Sequence, residues 1–172
     1  NNYLGSESVF IGNEAGLHSA SGANDGDHAV CIGTQAGYSL QRSTGSVLIG
    51  KKAGYASNFT GGQAITIVGR DAGITSTSAT GLTLFGLKAG RYISSGGNNT
   101  CIGNKAGELN LTTNSNNTCL GHEANPSATT ASNEITLGNS SIATLRCNVQ
   151  TISSLSDRRD KTNIIDLPEG LD

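Results

Sequence analysis

An all-β fold is predicted: a repeat-built parallel β-solenoid or β-roll with coils of about 17 residues, assembled as a homotrimeric fibre and ended by a closing strand at the C-terminus. Three observations predict it. A short apolar run followed by glycine recurs eight times along the chain. The recurring glycines lie 21, 17, 19, 17, 17, 18 and 17 residues apart. The composition is turn-rich: Gly is 24 of 172 residues, charged residues are 14% and aromatics 4%. A typical soluble domain carries about 25% charged residues and ~7% Gly.

The first 140 residues hold the eight copies, read as a shaft or head. They are Phe10-Ile11-Gly12, Cys31-Ile32-Gly33, Leu48-Ile49-Gly50, Ile67-Val68-Gly69, Leu84-Phe85-Gly86, Cys101-Ile102-Gly103, Cys119-Leu120-Gly121 and Thr136-Leu137-Gly138. The four residues before each glycine form a β-rich run such as Ser46-Val47-Leu48-Ile49, built from the branched and aliphatic types that strands favour. Three residues after seven of the glycines stands Ala, at 15, 36, 53, 72, 89, 106 and 124. The residue after that Ala is Gly six times and Asn125 once, the two types that accept left-handed backbone most cheaply, so the chain is expected to turn there. A larger apolar residue then follows, as in Leu17, Tyr38, Tyr55, Ile74, Tyr92 and Leu109, and is expected to complete the coil's small core. A stretch of Asn, Ser, Thr and Gly closes the unit.

A period near 17 is too short for helix-pair repeats, which need over about 30 residues, and suits one coil stacked on the next at ~4.8 Å. The two residues before the glycine are both apolar in seven of the eight copies, yet neighbours on a strand point to opposite faces. One face can be the coil's own core. The other needs a cover, most simply further copies of the chain, and a closed three-fold arrangement suits a fibre. A charge introduced at Ile102 is accordingly expected to be buried and unpaired, costing several kcal/mol. The longer steps mark insertions, at 22–28 and 58–62, which are the first places to seek a ligand contact.

Residues 141–155 read as a closing strand or neck, because Leu145, Cys147 and Val149 alternate with Arg146, Asn148 and Gln150. Residues 156–172 open with a sudden cluster of charge, Asp157-Arg158-Arg159-Asp160-Lys161. Ser156-Asp157-x-Arg159-x-Lys161, followed by Asn163-Ile164, resembles the opening of the endosialidase-type intramolecular chaperone domain at the C-terminus of phage tail fibres, tailspikes and related trimeric proteins. The Ile-Gly-x-x-Ala-Gly repeats resemble those often found upstream of it. Trimeric bacterial adhesin heads carry similar repeats. The resemblance implies a chaperone that trimerises, assists folding of the upstream β-structure, and is released by self-cleavage after the Ser. Carried over, the Ser156–Asp157 bond is the junction. Ser156 is the nucleophile, Lys161 assists it, and Asp157 and Arg159 orient the peptide. A Ser hydroxyl needs such a proton acceptor to attack. Asp160 departs from the family, which usually has an aliphatic residue there.

Other candidate chemistry is sparse. Cys31, Cys101 and Cys119 share the position two before the glycine, where other copies place Phe, Leu or Ile, so Cys reads as small apolar filler. Cys101 and Cys119 fall on adjacent coils, where aligned parallel strands rarely give good disulfide geometry. If the closing strand faces a symmetry axis, three Cys147 thiols come close together. Asp25-Gly26-Asp27-His28 lacks the oxygen count and closing Glu of a calcium loop, and His18 and His122 stand singly. No cofactor or metal is expected. The Asn-x-Ser/Thr triplets at 58, 98, 110, 116 and 139 read as turn composition rather than glycosylation. Gly-x-x-Ala-Gly lacks the Lys of a phosphate loop, and a carbohydrate-stacking platform is a poor prospect without Trp.

A net charge of −2 gives no footprint for nucleic acid. No apolar run reaches the ~18 residues of a membrane span. The chain has no Met, even at position 1, and reads as a piece of a longer polypeptide. The expected role is structural and adhesive: a section of a phage-type tail fibre in a virion tail or other extracellular fibre. Its partners are its own copies and a host cell-surface glycan or protein. It is not expected to be an enzyme, apart from single-turnover cleavage after Ser156. A bacterial trimeric adhesin or contractile-injection-system fibre would share the rod, and a polysaccharide-degrading tailspike would need paired acids in a groove.

Overall fold

A computed structural model of the chain describes residues 7–17, 28–40, 45–57 and 65–148. Eight three-residue strands run through these segments: β1 Val9–Ile11, β2 Val30–Ile32, β3 Val47–Ile49, β4 Thr66–Val68, β5 Thr83–Phe85, β6 Thr100–Ile102, β7 Thr118–Leu120 and β8 Ile135–Leu137. They form one parallel sheet in chain order, β1 to β8. Each residue pairs with its equivalent one coil on, as Leu48 with Ile67 and Ile67 with Leu84. No helix occurs among the described residues. This is the parallel β-solenoid that the glycine spacing predicts.

The strands are one residue shorter than the β-rich runs. The recurring glycine ends each strand with its φ near +128° to +142° in coils 1–6, a backbone region that L side chains rarely adopt. The glycines also stack. A Cβ added at Gly50 would sit 2.7 Å from the carbonyl carbon and oxygen of Gly69. The same close approach recurs from Gly12 up to Gly103, so this column admits no side chain. The ladder of backbone bonds runs through it, as Gly50 N–H donating to Ile32 O at 2.7 Å and Gly69 N–H to Ile49 O at 2.8 Å.

Four inward columns make the core. Cys31, Leu48, Ile67, Leu84, Cys101 and Cys119 point inward from the strand centres and are fully buried. Two residues earlier, on the same side of the pleat, stand Ala29, Ser46, Ile65, Leu82, Asn99 and Asn117, also buried. The corner alanines from Ala36 to Ala124 form the third column, all fully buried. Leu40, Ile93 and Leu111 supply the fourth wall, with Ser57 and Ser76 in the equivalent place.

That fourth wall corrects the sequence reading. The larger residues just after the corner do not fill the coil: Leu17, Tyr92 and Leu109 are exposed, and Tyr38, Tyr55 and Ile74 are half-buried. In coils 1–6 the left-handed glycine after the Ala reverses the chain, and the next tight turn carries the inward position further on, whereas Asn125 of the seventh coil is not left-handed. Leu40 N–H donates to Gly37 O at 3.0 Å, and Ile93 N–H to Gly90 O at 3.1 Å. Tyr38 and Tyr55 instead stack on one another on the outside, centroids 4.8 Å apart and planes 11° from parallel, with the Lys52 ammonium 5.5 Å over the Tyr55 ring.

The buried asparagines hold successive coils together. Asn99 Nδ2 donates to Asn114 O at 2.8 Å, and Asn99 Oδ1 accepts from Asn117 N–H at 2.9 Å. Asn117 Oδ1 accepts in turn from Glu134 N–H at 3.0 Å. Ser46 Oγ does the same for Ile65 N–H at 3.2 Å. Asn99→Ala would leave both a buried N–H and a buried carbonyl without partners. It is expected to cost roughly 2–4 kcal/mol in urea unfolding, from about 1–3 kcal/mol per orphaned group. A loss under half a unit would show that water replaces the amide.

The chain divides into two compact units, Asn1–Ile142 and Ala143–Asp172. All eight strands lie in the first. In the second, residues 143–148 carry no strand, and Leu145 and Cys147 are exposed. The remainder of the expected closing strand, from Val149 on, lies outside the described residues.

Candidate functional site

The strand face that points away from the core is the most distinctive surface. Strand geometry puts the first and third residue of each β-strand outward when the second points in. The third residues form a continuous apolar ladder: Ile11, Ile32, Ile49, Val68, Phe85, Ile102, Leu120 and Leu137. All are exposed or half-buried; Phe85 at mid-ladder keeps 57% of its surface and Ile102 42%. The first residues run beside them as Val9, Val30 and Val47, then Thr66, Thr83, Thr100 and Thr118, then Ile135. Two aligned columns, eight coils long, thus leave an apolar strip unburied by the chain's own fold. Scattered exposed apolar residues are ordinary, but a contiguous strip marks an interaction surface.

Ile102 shows the difference from the sequence reading most directly. It lies on this outer strip, so a charge there meets solvent within a single chain, and its burial depends on what covers the strip. Sequence alternation exposed the ladder of third residues. The Val/Thr column beside it went unread because Thr is ambiguous between core and surface, although its spacing of two from the ladder was the available signal.

An open groove of about 860 Å³ lies where the corner column stops, with Tyr92, Lys105, Glu108, Leu109 and Glu123 among its lining residues and coil 8 along one side. Coil 8 has no Ala-Gly corner: Gly138 leads to Asn139-Ser140-Ser141. The charges in the groove are paired internally. Lys105 Nζ donates to Glu123 Oε1 at 2.9 Å, which holds the Glu123 carboxyl below the usual carboxylate range and the Lys105 ammonium above its own. Glu108 Oε1 lies 3.5 Å from Arg91 and 3.9 Å from Lys88. At the end of the ladder, the Ser127 hydroxyl and backbone N–H hold the Glu134 carboxyl low.

Ser156, Asp157, Arg159 and Lys161 lie outside the described residues, as do His18, Asp25 and Asp27. His28 pairs with Glu7 at 3.1 Å on the surface, and His122 lies 3.7 Å from Glu123. Among the described residues no three His, Cys, Asp or Glu side chains come together as a metal site. Cys31, Cys101 and Cys119 are buried free thiols, as the filler reading expects, and Cys147 is exposed. Burial pushes the Cys31 thiol up to about 12.

Comparison with protein-family models, with curated proteins and with solved structures finds no match for this chain.

Proposed function

We propose that this chain is a structural and adhesive section of a trimeric, phage-type tail fibre, carried on a virion tail or another extracellular fibre. The observation that carries the reading is the apolar strip from Ile11 to Leu137, eight coils long and on one face. Three copies set with their strips toward a common axis remove that surface from water, each buried aliphatic side chain contributing about 1.5–3 kcal/mol when fully covered. Backbone ladders that run through every coil make the assembly stiff along its length. Such a rod suits the display of surface loops for attachment to a host-cell glycan or protein.

The charged segment after the shaft is the second half of the reading. Ser156–Asp157 is the junction at which a trimerising chaperone is released, with Ser156 attacking and Lys161 taking its proton. The experiment uses the chain extended to a full C-terminal chaperone domain. Mass spectrometry is expected to find a break after Ser156 in the wild type and none in Ser156→Ala, and native mass spectrometry of the released product is expected to find three copies. An intact polypeptide from both proteins, or a released single copy, would contradict the proposal.

A further inference from the structure

Cys101 and Cys119 occupy the same inward position on neighbouring coils and are paired residue for residue across β6 and β7. Both are fully buried. In-register parallel neighbours hold their Cα atoms about 4.8 Å apart, inside the ~4.4–6.8 Å range that a disulfide spans. Cys31 has no such neighbour: its partners across β1 and β3 are Phe10 and Leu48.

We propose that Cys101 and Cys119 are a cross-coil oxidation site that hydrogen peroxide converts to a disulfide, stapling coil 6 to coil 7. Cys119 lies nearer the end of the ladder, where it faces the half-buried Thr136 of the next coil, and is the nucleophile of the pair. Its sulfur attacks one peroxide oxygen, the O–O bond breaks, and Cys119 becomes a sulfenic acid while the departing hydroxide collects a proton as water. The Cys101 sulfur then attacks the Cys119 sulfur and expels hydroxide, which takes the Cys101 proton. Two thiols and one peroxide give one disulfide and two waters. Peroxide is small enough to reach this position, one coil from the end of the ladder, where the facing residue Thr136 is only half-buried. Parallel strands keep the two Cβ vectors parallel rather than convergent, so the bond is strained and readily reduced. The site is independent of the fibre reading.

The test treats the folded chain with hydrogen peroxide, blocks remaining thiols in denaturant, and digests with trypsin. Lys105 lies between the two cysteines, so the disulfide is diagnosed by peptide 92–105 linked to peptide 106–146. The linked pair is expected to form in the wild type but not in Cys101→Ala, and to vanish on reduction with dithiothreitol. Cys31 is expected to be alkylated throughout, and oxidation of the exposed Cys147 reports that the reagent acted. Recovery of both Cys101 and Cys119 as alkylated thiols, or of Cys119 as sulfinic acid with no linked peptide, would overturn the proposal.

Discussion

Gly50→Ala is expected to lower the stability of the shaft by about 3 kcal/mol or more, combining a Gly-only backbone conformation with a backbone collision. The φ of Gly50 is +128°, and the added methyl would lie 2.7 Å from the Gly69 carbonyl carbon and oxygen. The colliding atoms are backbone of the next coil, so no side chain can swing aside. Relief requires that coils 3 and 4 separate, which breaks ladder bonds on both sides. Gly97→Ala is the matched control: its φ is not in the left-handed region, and its nearest neighbour is the Thr80 hydroxyl at 3.1 Å, a side chain that can rotate. Urea midpoints for the two variants are expected to differ widely. Equal midpoints would show that the glycine column is replaceable and that coil spacing adapts.

Ile102→Asp is expected to disassemble the chain without unfolding it. Ile102 is 42% exposed on the outer strip, so in a lone chain the carboxylate stays hydrated. In a trimer three carboxylates would meet in a desolvated, apolar seam, with no cation on the strip to pair them. Association is expected to weaken by at least 100-fold, which corresponds to about 2.7 kcal/mol, while the far-ultraviolet circular dichroism is unchanged. The same substitution at Leu84, fully buried on the inner face of the neighbouring strand, is expected to unfold the coil outright. If Ile102→Asp and Leu84→Asp lose structure alike, the outer strip is part of the chain's own core and the assembly argument fails.

The contrast between these residues shows what the sequence discloses. Glycine spacing located all eight strands, because only glycine tolerates both the backbone angle and the close stacking at that point. The corner alanines were equally legible, since a methyl group is all that fits between strand and turn. The inward column before each strand was blurred by its mixed chemistry: Ala29, Ser46, Ile65, Leu82, Asn99 and Asn117 share a place but no residue class. The fourth wall was missed for a related reason. Its residue falls seven after the glycine in Leu40 and Ile93 but eight after it in Leu111, and two coils place Ser there. A second set of turns was hidden altogether. Glu14, Gln35, Lys52, Asp71, Lys88, Lys105 and Glu123 all hold φ between +53° and +59°, yet none is the Gly or Asn that signals left-handed backbone. The trace they leave is negative, in that no β-branched residue occurs at that position.

The outer face was read correctly as lying outside the coil's own core, since alternation in a strand dictates it. That further copies of the chain cover it is the proposal, and it rests on symmetry reasoning.

Static light scattering on the purified chain, across a range of concentrations, tests this cover most directly. A mass three times that of the 17.5 kDa chain, constant on dilution, is the predicted result. A stable species of one chain mass at every concentration would mean the strip faces water, and the account of the shaft as a self-assembled rod would be wrong.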